Sequence, residues 1–210
     1  TLDRSSAASD VYKRQAMDQQ SATQFYDTVK ANPGKYFQGS SGNGAIDHLV
    51  SMDIANRMGL DIQHVPYKGN GPALTDLVSG NVNFMYSGSF NSAMPFIQNG
   101  QARALAVTSE KRSASLPDVP SLSEAVPGLK GFDAGTWQVL IAPKGTDPAI
   151  LAKLDQVLQE SLKDPEVQKS LRFQGAELMD KDPKACQEYV AAEYSRWSDT
   201  IKRLGLKAEN

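Results

Sequence analysis

The chain has 210 residues, of which 40% are hydrophobic and 22% charged, an ordinary globular composition with room for one large domain or two small ones. A formal net charge of −2 with scattered basic residues argues against nucleic acid or an anionic membrane surface as partner, and no apolar run approaches the roughly 20 residues of a membrane span. One cysteine, Cys186, and two histidines, His48 and His64, exclude an intrachain disulfide and argue against a metal centre, so neither metal nor cofactor is expected.

The first fifteen residues stand apart. Ser5 to Gln15, SSAASDVYKRQ, reads as a translated transposon-type sequencing adaptor, so residues 1–15 are expected to be a non-native tail and the natural sequence to start near Ala16. The later string YFQGS resembles the end of an engineered protease site. It follows Asn32-Pro33-Gly34-Lys35 inside a globular pattern, and the scar reading is rejected.

Ser21 to Lys30 reads as a helix that Asn32-Pro33-Gly34 ends. Strand and helix then alternate: strands at Tyr36–Gln38, Ile62–Val65, Val82–Tyr86 and Ala104–Thr108, helices at Ile46–Met58, Ala73–Val78 and Met94–Gln98. That alternation predicts βαβ units and a mainly parallel sheet. Lys111 to Gly131 reads as a surface connection, and Trp137 to Ile141 as a further strand. Asp147-Pro148, Asp164-Pro165 and Asp182-Pro183 announce three helices, with Asp as cap and Pro at the first helical position. Leu151, Leu154, Leu158 and Leu162 on the first helix, and Cys186, Val190, Trp197, Ile201 and Leu204 on the last, form faces that must pack.

In open parallel sheets, ligands bind beyond the carboxyl ends of the strands. Four loops are expected there: Gly39–Gly44, Pro66–Gly71, Ser87–Phe90 and Ser109–Ser113. Three are rich in Gly, Ser and Asn, which let backbone approach a ligand and supply N–H and O–H donors. The helix starting near Ala45 would point its positive end at GSSGNG, favouring an anion. A tight turn with a helix cap is the alternative. Catalytic and nucleotide patterns each fail at one required residue. A nucleophile elbow needs Gly at Asn43, a P-loop needs Lys-Ser/Thr after Gly44, and a dinucleotide fingerprint needs Gly at Asp47. His48, four residues beyond Gly44, could face Ser41, leaving a serine hydrolase using Ser41 and His48 as an alternative class. His48 and His64 otherwise read as structural, and Lys68 as an exposed turn lysine.

The strings GSSGNGAIDHL, HVPYKGNGPALTDLVSGNV, ARALAVTSEKRSASLPDVPSLSE and GTWQVLIAP, in this order from about Asn32 to Leu204, resemble the substrate-binding proteins of tripartite tricarboxylate transporters, the Bug or TctC-like family. The resemblance implies an α/β, two-lobed periplasmic-binding-protein-like (type II) fold with one lobe incomplete. Residues 16–134 would be the second lobe, and 135–210 the returning part of the first lobe with its terminal helices. It implies a periplasmic, non-enzymatic receptor for a small organic carboxylate, working with the membrane subunits of a tripartite transporter or, alternatively, with a sensor kinase. By the same likeness Ser40, Ser41, Gly42, Asn43 and Gly44 match the carboxylate loop, and Ser87 is a further ligand contact. Two departures stand out: Ala45 where many members carry Thr, and Ser87 where many carry an acidic or amide residue.

Overall fold

The computed structural model describes residues 19–86, 90–173, 176, 178, 179 and 181–206. The tail at residues 1–15 and Ser87 lie outside them. The chain divides into two compact units, the first comprising Thr1–Thr136 with Ile201–Asn210, the second Trp137–Thr200.

Helix α1 (Ala22–Ala31) opens the first unit, capped by the Ser21 hydroxyl, which accepts from the Gln24 N–H. Strand β1 (Phe37–Ser40) follows, then α2 (Ile46–Met58), β2 (Gln63–Pro66), α3 (Asn70–Val78), β3 (Phe84–Met85) and α4 (Phe90–Gln98). The three strands form a parallel sheet in the order β2-β1-β3, with β1 central. Gln38 lies opposite His64 and Phe84, so these side chains share one face. Phe84 meets Phe25 of α1 edge-on on that face. On the other face Gly39 lies under Ala73 of α3, where a Cβ would stand 3.2 Å from Val82 Cγ2 and 3.8 Å from Ala73 Cβ. Its lack of a side chain is what allows α3 to sit so close.

The helix ends follow local chemistry. Helix α2 stops at Gly59 in the left-handed conformation, whose N–H returns to Ala55. Inside it, buried Asp53 takes Arg57 of the same helix and Arg203 of the C-terminal turn, at 3.0 and 2.7 Å. Burial alone would raise the Asp53 carboxyl, but the two guanidiniums outweigh it and hold it below the usual carboxylate range. After α4 come the short α5 (Leu122–Ala125) and a 3-10 turn (Pro127–Leu129), which bury Leu122, Val126 and Leu129.

One expected strand of this unit does not form. Ala104–Thr108 makes only an isolated parallel bridge, Val107 with Ser121, and its carbonyl at Thr108 goes to the Ala134 N–H instead of a sheet neighbour. Its partner is a single turn-like segment, so the ladder has no second rung. Three other elements start or end a few residues from the expected place: α3 and α4 begin earlier, at Asn70 and Phe90, and β3 shrinks to Phe84–Met85.

In the second unit, helices α6 (Pro148–Lys163), α7 (Pro165–Phe173) and α8 (Pro183–Leu204, whose end from Ile201 counts with the first unit) begin at the three Asp-Pro pairs. Each Asp side chain accepts a first-turn N–H, from Ala149 at 2.7 Å, Glu166 at 2.8 Å and Ala185 at 2.8 Å. The expected strand at Trp137–Ile141 is absent. An isolated extended segment has no ladder to complete, and Leu140 and Ile141 stand exposed here without a neighbouring strand among the described residues. Ile150, Leu151, Leu154 and Val157 of α6 are likewise exposed.

Candidate functional site

Strand β1 ends in Ser40, fully buried, and the chain turns through Ser41–Ala45 into α2. Two glycines make the turn possible, Gly42 at φ 148° and Gly44 at φ 73°. The neighbouring loop after β2 is tied to it: Tyr67 N–H donates to the Ser40 carbonyl at 2.9 Å and Gly69 N–H to the Ser41 carbonyl at 3.0 Å. Two of the four expected edge loops therefore lie side by side.

The loop is wired to a carboxylate of its own. Asp47, second residue of α2 and fully buried, accepts the Ser41 N–H at 2.6 Å, the Ser41 hydroxyl at 2.9 Å and the His48 N–H at 3.0 Å. No cation joins this set among the described residues. An amide, a hydroxyl and a helix N–H hold an ionisable oxygen pair at the positive end of α2, the environment expected to favour an anion. Ala45, the residue before the helix, contributes no side-chain cap.

His64 on β2 reaches Ser40 Oγ at 2.6 Å, and the His48 and His64 rings stack with centroids 3.9 Å apart and planes 3° apart. His48 Nδ1 accepts the Gly44 N–H at 3.0 Å. The alternative Ser41–His48 pairing does not form: Ser41 turns to Asp47, and His48, in the first turn of α2, is turned back over Gly44. Ser40, buried at the strand end, is the serine that meets an imidazole.

Beside the start of α2 is a shallow recess lined by Ile46, Asp47, Val50, Tyr86, Thr108 and the segment Ala134–Thr136, with about 20 Å³ of free volume, the size of a water molecule or one carboxylate oxygen. The N–H groups of Ile46 and Asp47 precede the first intrahelical bond of α2, and neither donates to another described residue. The Tyr86 hydroxyl is paired with that of Tyr26 at 2.8 Å, and burial pushes both phenols up. Tyr67, pushed up to about 12 by desolvation and by its bond to the Asp76 carboxylate at 2.7 Å, stiffens the second loop.

The fourth expected loop, Ser109–Ser113, spends its donors locally. Ser109 Oγ donates to the Lys111 carbonyl, Glu110 N–H to Asp133, and Arg112 forks onto Glu124 and the Pro117 carbonyl. Of the expected site residues, Ser40 to Gly44 come together in one turn, and Ser87 belongs to the residues left undescribed. The roles of Asp47 as acceptor for the loop and of His64 as partner of Ser40 were not anticipated. A serine at the strand end with an aspartate in the next helical turn is the signal that could have pointed to the first of these.

This turn is a helix start that holds a carboxylate, that of Asp47, with neutral donors. The family model described as tripartite tricarboxylate transporter family receptor, TctC, matches residues 7–206. The chain belongs to that family. Among its relatives, a UPF0065 protein in the tcbD-tcbE intergenic region of Pseudomonas sp. (strain P51) is 36% identical across 89% of this chain and 55% of its own length. Protein BugT of Bordetella pertussis is 34% identical across 85% of this chain and 54% of its own.

The fold is that of periplasmic binding proteins of the TctC type. A structure described as a periplasmic transporter superposes with a TM-score of 0.78 at 33% identity, covering 92% of this chain and 63% of that one. An R. palustris protein solved with adipate gives 0.78 at 30% identity over 90% and 62%. MatC from Rhodopseudomonas palustris, solved with bound malate, gives 0.73 at 27% identity over 89% and 64%. The chain spans about half the length of the two relatives and less than two thirds of each of these structures.

Proposed function

We propose that the chain is part of a periplasmic receptor that captures a small organic carboxylate without transforming it and hands it to the membrane subunits of a tripartite transporter. Residues 16–134 supply one gripping lobe and residues 135–210 the returning part of the other. The observation that carries this reading is the Asp47 arrangement: the turn already binds a carboxylate with an amide, a hydroxyl and a helix N–H, and no cation. The adjoining Ile46 and Asp47 amides are donors of the same kind beside the recess. A ligand carboxylate is placed there, across Ser40, Ser41, Gly42, Asn43 and Gly44, with Ser87 as a further contact. Malate and adipate, bound by two structural neighbours, set the expected size class.

Such a grip needs no arginine, because hydrogen bonds to a charged acceptor contribute about 1.5–3 kcal/mol each. The serine hydrolase reading loses its pair, since Ser41 does not meet His48. A sensor role with a membrane kinase shares the same pocket and differs only in the downstream partner. The test is a titration of malate, adipate and their amides into the ¹⁵N-labelled chain. Shifts at the Gly42–Asp47 amides with the acids, and none with the amides, are expected. Hydrolysis of a carboxylic ester, or shifts elsewhere only, would refute the reading.

A further inference from the structure

The stacked histidines are used by nothing above, yet they touch both ends of the carboxylate loop. His64 holds Ser40 at the strand end through Nε2, and His48 holds Gly44 at the helix end through Nδ1. Ser40 in turn accepts the Gly42 N–H at 3.3 Å. The two rings, parallel at 3.9 Å, close these contacts into one brace across the turn.

The protonation states are constrained by the bonds themselves. A nitrogen that accepts an N–H cannot carry a proton, so His48 must be neutral with its proton on Nε2. Ser40 can donate to His64 Nε2 or accept from it, so that bond survives either state of His64. A proton on His48 Nδ1 would set N–H against the Gly44 N–H. Among the contacts of the pair are the Asp47 carboxylate on α2, which takes the His48 backbone N–H, and the Ser40 hydroxyl on β1.

We propose that His48 and His64 are positioning residues for the carboxylate loop, His48 acting as a neutral acceptor that shapes the Gly42–Ala45 turn and whose protonation undoes it. The proposal rests on the carboxylate-receptor reading for its consequence, though not for its geometry. It makes the site sensitive to acid.

The test uses the full ¹⁵N-labelled chain, titrated from pH 8 to pH 5 without ligand. The Gly44 amide is expected to move with the His48 ring resonances. In His48→Asn, whose amide oxygen can stand where Nδ1 stands, that amide should stay put at every pH. In His48→Leu, of similar bulk but without an acceptor, it should be displaced throughout. Malate affinity should fall about tenfold in His48→Leu, as for one lost hydrogen bond, and recover in His48→Asn. Identical behaviour of the Asn and Leu variants, or a Gly44 amide indifferent to a titrating His48 ring, overturns the proposal. Should the ring stay neutral to pH 5, the contrast between the two variants decides alone. Malate and adipate shifts confined to residues outside Gly42–Asp47 overturn the receptor reading instead, while the Gly44 amide still judges the brace.

Discussion

Replacing Asp47 by alanine removes the acceptor of three hydrogen bonds at once, from the Ser41 N–H, the Ser41 hydroxyl and the His48 N–H. Bonds to a charged partner contribute about 1.5–3 kcal/mol each, which sets an upper bound of roughly 4.5–9 kcal/mol for three. Ser41 is half-exposed, so its two donors can turn to water once released. The His48 N–H is buried in the first turn of α2 and cannot. The expected loss is therefore about 2–4 kcal/mol, and Asp47→Asn, which keeps one acceptor, should lose about half of that. Both tryptophans, Trp137 and Trp197, belong to the second unit, so their fluorescence is a poor reporter of this change. Hydrogen exchange at the amides of β1 and α2 reads the correct unit. Formate or acetate should restore part of the protection in Asp47→Ala, because a free carboxylate can occupy the vacated donors. A loss below about 0.5 kcal/mol, within the range of ordinary surface substitutions, would refute the reasoning.

Asp53 is held below the usual carboxylate range in the folded chain, so its contribution to stability is present at neutral pH and is lost as the pH falls through that lowered value. Acidification through that lowered value should release the Arg203 contact, seen as increased exchange in the last turn of α8, and Asp53→Asn should flatten that dependence. Gly39→Ala should cost about 1–3 kcal/mol by pressing Val82 and α3 away from the sheet, measured by urea unfolding followed through far-ultraviolet circular dichroism. Ala45→Ser gives α2 the cap it lacks, and should gain about 0.5–1 kcal/mol in the same assay.

Much of the frame was legible because it is local. Ile46–Met58 is a helix with the expected bounds, and the three Asp-Pro starts form as their chemistry dictates, each Asp accepting a first-turn N–H. The strands were less legible, since an apolar run becomes a strand only when another strand meets its N–H and C=O groups. Ala104–Thr108 and Trp137–Ile141 have the composition without the partner. The turn at Ser40–Gly44 was readable as a donor-rich helix start. Its internal wiring was not, because Asp47 was weighed as a failed glycine position instead of as a carboxylate. Likewise His64 joins Ser40 across neighbouring strands, a pairing that depends on register and not on sequence distance.

The account's central claim is that neutral donors at the start of α2 hold a carboxylate. A crystal structure of the chain soaked with malate tests it most directly. The expected result is one malate carboxylate within hydrogen-bond distance of the Ile46 and Asp47 amides and a loop hydroxyl, with no arginine or lysine touching it. Malate bound elsewhere, or held at this turn by a guanidinium or ammonium group, would contradict it.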